Sequence, residues 1–168
     1  AFMNSMLVKY CQYAKYENVR VTIPRTVVVA TDYFDAFIRN NGLEYVLTTE
    51  MTDEEILSEF VSSTLPYKLR EALKAYVRTV SGPLAVRSSS KLEDSHYQPF
   101  AGIYSTYMIP YTEGNEDRQL RLLQKAIKSV YASTYFAASK AYVQSSQNLI
   151  AEEKMAVVIQ EVCGTEQD

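Results

Sequence analysis

The chain has 168 residues, of which 47% are apolar and 22% charged. This composition is typical of one folded domain and excludes an intrinsically disordered chain. Seventeen basic and twenty acidic residues give a net charge of −3, spread along the sequence, which argues against nucleic-acid binding. No apolar run approaches the ~18 residues of a membrane helix, so we expect no membrane partner. Cys11 and Cys163 stand alone, which predicts reduced, buried thiols in a cytoplasmic protein rather than a zinc site or a disulfide.

The chain begins with patterns for a helix, a strand and a second helix. Apolar residues recur three and four apart over residues 2–14, as on one face of a helix. Residues 25–30 contain a β-branched run and predict a strand. Thr31 and Asp32 are candidate N-caps for the helix that follows, and Gly42 supplies a left-handed stop.

Two further helices are predicted within residues 52–80. Thr52 and Glu55 have the spacing of a capping box, in which each side chain accepts from the other's backbone amide. Pro66 suits the first helical position of the second helix, whose apolar stripe continues to Val80.

The middle of the chain predicts two strands joined by a polar loop. Residues 84–87 must form a strand, because a helix cannot nucleate across Gly82 and Pro83 in so few residues. Residues 88–99 are polar and predict a loop, and residues 103–109 are rich in strand-forming side chains.

The remaining patterns complete an α+β architecture. A long helix with an acidic first turn follows Gly114, and a second helical segment covers residues 137–143. Residues 155–162 form a nearly continuous apolar strand. About four strands and five or six helices predict a mixed β-sheet flanked by helices. With no internal repeat or linker, residues 1–168 are expected to form a single domain.

Arg87 is the strongest candidate for a functional residue. It shares a strand face with Ala85, and three serines follow it. A guanidinium beside small hydroxyls can bind phosphate through two parallel hydrogen bonds. The alternative is a structural salt bridge to Glu93 or Asp94, and spacing alone leaves both open.

The loop after Arg87 carries weaker signals. It lacks the P-loop and Rossmann glycine patterns, and Gly102 is its single glycine before the next strand. Glu93 and Asp94 could bind a metal, although an acidic pair in an exposed loop is more often solvated or caps a helix. His96, the only histidine, is predicted to lie at the surface.

Several ordered motifs resemble the nucleotide-binding domain of the phosphoenolpyruvate synthase and pyruvate phosphate dikinase family. Residues 83–94 contain Val-Arg-Ser-Ser followed by Glu-Asp, and residues 100–102 are Phe-Ala-Gly. Residues 155–160, Met-Ala-Val-Val-Ile-Gln, match another family strand, and residues 23–32 match an earlier segment. The resemblance covers nearly the whole chain and implies the amino-terminal half of an ATP-grasp domain, in which two α+β subdomains hold ATP between them.

The resemblance implies roles for six residues. Arg87 occupies the position of the family's phosphate-binding arginine. The other five would lie along the nucleotide or at the hinge against adenine: Gly102, Thr106, Gln160, Glu161 and Val162. No metal ligand is expected within this chain.

The sequence also departs from the family pattern. The family's Gly-Gly-Lys segment would precede residue 1, and its second subdomain, with acidic metal ligands, would follow residue 168. We therefore expect a partial domain, truncated at both ends. Residues 95–99 differ from the usual loop, and Ile103 replaces a usual glutamine. His96 does not match the family's carrier histidine, which belongs to a separate domain.

Our first hypothesis is the ATP-binding portion of a dikinase-like phosphotransferase of the phosphoenolpyruvate synthase type. The intact enzyme would use ATP with Mg²⁺ to phosphorylate a carrier histidine and pass the phosphate to pyruvate. Its partners would be the nucleotide, a second ATP-grasp subdomain, a carrier-histidine domain and an acceptor domain. The fragment itself is expected to be inactive, with no tightly bound cofactor.

Two alternatives remain open at this stage. The altered loop at residues 95–99 is consistent with a non-catalytic regulatory or interaction module that retains the fold. A dikinase with another acceptor, such as a glucan or an antibiotic, is also compatible with these residues.

Overall fold

The computed structural model describes residues 5–6, 23–90, 104–145 and 154–164. Ser5 and Met6 are helical. The rest of the helix predicted over residues 2–14 lies outside the described residues, as do Cys11 and His96. Cys163 is a free cysteine but is exposed, so the prediction that it is buried was wrong. Within the described ranges, no helix is long and apolar enough to cross a membrane.

Four strands form the described sheet: β1 (Thr26–Val29), β2 (Leu84–Ser90), β3 (Tyr107–Ile109) and β4 (Met155–Glu161). Their order is β1-β4-β2-β3, and every neighbouring pair is antiparallel. The predicted α+β class is confirmed. The sheet, expected to be mixed, is antiparallel over the described residues, which permits one face to pack on helices while the other stays open.

Five α-helices and one short 3-10 helix accompany these strands in the described ranges. They are α1 (Thr31–Asn41), the 3-10 helix (Leu43–Leu47), α2 (Asp53–Ser62), α3 (Tyr67–Val77), α4 (Glu116–Ser133) and α5 (Ala137–Ser145).

The ends of α1 were predicted only in part. Its N-cap is Ala30, whose backbone is extended, so the prediction of Thr31 or Asp32 as the cap was wrong. Both residues lie inside the first turn, where the helix dipole favours the Asp32 carboxylate. Gly42 ends the helix with a φ of 63°, as predicted, and its amide donates to the Arg39 carbonyl.

The capping box of α2 is confirmed. The Glu55 amide donates to Thr52 Oγ1 at 3.2 Å, and the Thr52 amide donates to Glu55 Oε2 at 2.8 Å. In α3, Pro66 is the N-cap rather than the first helical residue, and the helix ends at Val77, before Val80.

Two strand boundaries differ from the prediction by more than one residue. Residues 88–90, predicted as loop, continue β2, because Ser88 pairs with Val157 and Ser90 with Met155 across the β4 ladder. β3 begins only at Tyr107, since its ladder with β2 spans three residue pairs, so residues 104–106 precede the strand.

One hydrophobic core fills the space between the sheet and the helices. β2 contributes Leu84 and Val86, and β4 contributes Val157 and Ile159. An aromatic cluster from α1, α2, α4 and the turn after α4 packs behind them: Phe34, Phe37, Phe60, Tyr131 and Tyr135. The buried strand residues alternate with residues that point to the opposite face, and these define the candidate site.

Candidate functional site

The sheet face that points away from the core carries a mixed polar and apolar surface, here named the open face. It is formed by alternate strand residues: Thr26, Val28, Ala85, Arg87, Ser89, Met108, Ala156, Val158 and Gln160. Val28 and Met108 are 62% and 61% exposed. This high exposure shows that the described helices do not cover this face.

Arg87 lies near the middle of the open face. It is exposed and pairs with Val158 of β4. Across the described ranges, Arg87 makes none of the ion pairs, which instead involve Arg25, Arg78 and Lys154. The alternative partners, Glu93 and Asp94, lie outside those ranges. The Arg87 side chain is exposed on this face, where a guanidinium can donate hydrogen bonds to a ligand.

Thr106 is the residue directly before β3. The last pair of the β2–β3 ladder joins Val86 to Tyr107, the residues next to Arg87 and Thr106. Thr106 is exposed, as are Arg87 and Met108 of the open face. The two predicted residues therefore lie at the same end of this ladder although they are far apart in sequence, whereas Gly102 lies outside the described residues.

Gln160 is the third predicted residue on the open face. It pairs with Ala85 on one side and Thr26 on the other. This position is diagonal to Arg87, at a separation that long side chains can bridge. The Gln160 Nε2 donates to Thr26 Oγ1 at 3.3 Å, which orients the amide across the face.

Glu161 points to the other side of the sheet. Its Oε1 lies 3.6 Å from Arg25 Nη1, and that nitrogen also donates to the Thr79 carbonyl at 2.7 Å. Burial raises the pKa of Tyr76, and the negative charge of Glu161 raises it further, while Arg25 lowers it. The Glu161 side chain therefore belongs to a structural cluster and does not meet Arg87.

The end of β4 borders a cleft of about 490 Å³. Val162 lines it, together with Pro83, Pro110 and Tyr111. The Glu161 amide donates to the Arg25 carbonyl and the Val162 amide to the Pro83 carbonyl, each at 2.9 Å. Because both amides are already bonded, this segment can offer a ligand only its carbonyls and side chains.

Pro110 and Tyr111 were not predicted as site residues. They follow β3 directly. Because β3 and β4 both run antiparallel to β2, the C-terminal ends of β3 and β4 lie at the same end of the sheet. An exposed aromatic residue after a proline at a strand end was the only signal in the sequence. It is too common to indicate a site by itself.

The described residues contain no group of three or more His, Cys, Asp or Glu side chains that could hold a metal ion. What they do provide is a guanidinium, a hydroxyl and an amide on an exposed, partly apolar surface. These groups can bind a phosphate chain by charge-assisted hydrogen bonds, and the apolar residues beside them can contact a flat ring.

A protein family and a bacterial protein are similar in sequence to this chain. A family model described as pyruvate phosphate dikinase, AMP/ATP-binding domain, matches residues 4–167. The chain is also 30% identical over 151 residues to the protein named uncharacterized phosphotransferase YvkC of Bacillus subtilis (strain 168). That alignment covers 86% of this chain, which spans only 16% of the length of this relative.

Proposed function

Because this chain belongs to the pyruvate phosphate dikinase AMP/ATP-binding domain family, we propose that it is the ATP-binding portion of a larger phosphotransferase of the phosphoenolpyruvate synthase type. In such an enzyme ATP, water and a carrier histidine give AMP, inorganic phosphate and phosphohistidine, which then passes its phosphoryl group to pyruvate. One observation carries the proposal: Arg87 is exposed on the open face and makes no ion pair within the described ranges.

Arg87 binds the phosphates in this proposal. Its planar guanidinium matches phosphate oxygens with two parallel hydrogen bonds. The Thr106 hydroxyl and the Gly102 backbone contact the same phosphate chain. Phosphoryl transfer depends mainly on positioning and charge neutralisation, which is the contribution that these residues can make.

Gln160 and Val162 contact the nucleoside. Val162 lies four residues beyond Val158, the partner of Arg87, so the two ends of the site are about 13 Å apart at 3.3 Å per residue. That span suits an extended nucleoside triphosphate with its phosphates at Arg87 and its base at the cleft. Glu161 supports the strand end through Arg25 and contributes through its backbone rather than its carboxylate.

Other parts of the catalytic site would come from the remainder of the larger protein. These are a second ATP-grasp subdomain with the Mg²⁺ ligands, a carrier-histidine domain and an acceptor domain. Mg²⁺ would neutralise charge on the phosphates. We propose that the exposed Val28 and Met108 contact the second subdomain, that the isolated chain binds ATP weakly without turnover, and that the protein acts in the cytoplasm.

A second candidate function is a non-catalytic module that retains the fold but ignores ATP. The departure of residues 95–99 from the family pattern favours it, because this loop follows the phosphate-binding arginine.

The test uses the complete gene product that contains this chain. ATP is titrated by calorimetry, and AMP and inorganic phosphate are then quantified with ATP and pyruvate present. We expect ATP binding and AMP formation that depends on pyruvate. AMP formation only with a glucan or an antibiotic would show that the acceptor is not pyruvate, while still supporting the ATP site. A protein that does not bind ATP would instead support the non-catalytic module.

A further inference from the structure

The cleft proposed for the base, here named the base cleft, lies between the segment that leads into β2 and the segment that follows β4. Ser81, Gly82 and Pro83 line the first wall, and Val162 and Gly164 line the second. A Cβ atom added at Gly82 would lie 4.0 Å from the Val162 carbonyl oxygen, so the two walls face each other. The Val162 amide donates to the Pro83 carbonyl at 2.9 Å. In the described part of the chain, no further backbone hydrogen bond joins the walls beyond this one.

Arg25 contacts the residues that lead into both walls. Its Nη1 donates to the Thr79 carbonyl at 2.7 Å, and the same nitrogen lies 3.6 Å from Glu161 Oε1. Thr79 lies two residues before Ser81 of the first wall, and Glu161 directly precedes Val162 of the second. One guanidinium therefore links the two segments between which the base cleft opens.

Both ends of this link are fixed to regular structure. The Thr79 amide and Oγ1 donate to the Tyr76 carbonyl at 2.9 and 2.8 Å, which holds Thr79 against the last turn of α3. The Arg25 carbonyl accepts from the Glu161 amide at 2.9 Å, which holds Arg25 against the end of β4. Arg25 thus connects α3 to β4 through its side chain and its backbone together.

The Glu161 carboxylate depends on Arg25 for its position. Glu161 Oε1 is buried and accepts no hydrogen bond from the described residues, and Arg25 is the cation paired with it. Removal of one partner leaves the other charge in a partly buried place without compensation. Without the guanidinium we therefore expect the Glu161 side chain to turn toward water and the adjoining Val162 backbone to move with it.

From these contacts we propose that Arg25 is a positioning residue of the nucleotide site, which sets the spacing of the two walls and thereby the recognition of the base. This inference rests on the proposed function, because it takes the base cleft as the place where the base binds. It assigns Arg25 to the base end of the site and leaves the phosphate end, at Arg87, independent of it.

The chemistry of the bases allows the two ends to be tested separately. Adenine carries an exocyclic amino group, which can donate to the Val162 carbonyl, whereas guanine carries an acceptor oxygen at the same ring position. ATP and GTP present the same phosphate chain to Arg87. A change that loosens the walls should therefore cost ATP more affinity than it costs GTP.

The test measures the dissociation constants of ATP and GTP by calorimetry in the complete gene product. The wild type should bind ATP more tightly than GTP. Arg25→Met should weaken ATP binding about threefold to tenfold, because a charge-assisted hydrogen bond and an ion pair are lost, and should leave GTP binding nearly unchanged. Arg25→Lys should fall between, since it retains the charge but not the fork of donors.

The Arg25 side chain is 53% exposed, so Arg25→Met should fold, and its melting temperature should verify this. Lys154→Met is the matched control, because Lys154 forms a similarly exposed ion pair with Asp35 at the other end of β4. It should leave both dissociation constants as they are in the wild type.

Three outcomes would overturn the inference and leave ATP binding intact. These are unchanged ATP binding in Arg25→Met, an equal loss of ATP and GTP affinity, which would indicate a general structural effect, and a wild type that does not discriminate between the two nucleotides. A wild-type protein that does not bind ATP would instead overturn the proposed function and this inference together.

Discussion

The side chain of Arg87 leaves the sheet beside Val158, because the two residues are partners in the antiparallel ladder between β2 and β4. Val158 pairs on its other side with Val28 of β1. The side chains of Arg87, Val158 and Val28 therefore lie next to one another across three neighbouring strands. A shift of one residue in β2 would turn Arg87 into the core and expose Val86. The register of this ladder therefore sets the guanidinium next to an apolar surface.

The aromatic cluster is expected to dominate the stability of the fold. Phe37 is 0% exposed, and its ring centroid lies 5.7 Å from Phe60 and 5.5 Å from Tyr131. Phe37→Ala should lower the free energy of unfolding by about 3–5 kcal/mol, because the cavity cannot close completely. Urea denaturation followed by circular dichroism measures this change. Tyr67→Ala, at a ring that is 68% exposed, should cost less than about 1 kcal/mol, and equal losses would refute the assigned burial.

The hydroxyl of Tyr131 should be dispensable. It is buried in the core and has no hydrogen-bond partner among the described residues. Tyr131→Phe keeps the ring contacts and removes the desolvated hydroxyl, so the free energy of unfolding should rise by about 1 kcal/mol. Tyr67→Phe at the surface is the matched control and should change nothing. A clear loss of stability in Tyr131→Phe would mean that the hydroxyl is bonded.

Stability should decline at alkaline pH. Burial raises the pKa of Tyr131; burial and then the nearby Asp35 and Glu44 raise that of Tyr135. The folded chain therefore keeps protons that the unfolded chain releases near pH 10. The stabilisation that these two tyrosines contribute is fully present below about pH 10. As the pH rises further, the free energy of unfolding falls by up to about 1.4 kcal/mol per pH unit for each tyrosine. Urea midpoints measured between pH 8 and pH 11 should show this loss, with a smaller slope in Tyr131→Phe; an equal slope would contradict it.

Lys128 should stabilise the end of α2. Its Nζ donates to the Val61 carbonyl and, at 3.0 Å, to the Ser63 carbonyl, where a cation also opposes the negative end of the helix dipole. Partial burial lowers the pKa of this ammonium group, which limits the net gain. Lys128→Met should still lower the free energy of unfolding by about 1–2 kcal/mol in urea titrations. Lys125→Met, exposed on the same helix, is the control, and indistinguishable variants would argue against the two hydrogen bonds.

Local signals in the sequence predicted much of the secondary structure. The Thr52 and Glu55 pair formed its capping box because both partners lie within one turn. Gly42 ended α1 because it adopts a left-handed conformation that other residues rarely accept. The polarity of residues 88–90 predicts a loop, yet the ladder with β4 holds them in the strand.

The candidate site was less accessible to sequence reasoning, because it depends on strand order and on which side of the sheet each residue points. Arg87 and Gln160, far apart in sequence, share the open face only through the β2–β4 register. Glu161 follows Gln160 directly and for that reason lies on the opposite face.

The dissociation constant for ATP in Arg87 variants tests the central claim most directly. In the complete gene product, Arg87→Ala should weaken ATP binding about tenfold to a hundredfold by calorimetry, because a charge-assisted pair of hydrogen bonds is lost. Arg87→Lys should fall between, and Arg121→Ala, exposed on α4, should bind as the wild type does. An unchanged dissociation constant in a normally folded Arg87→Ala protein would contradict the assignment of the open face as the ATP site.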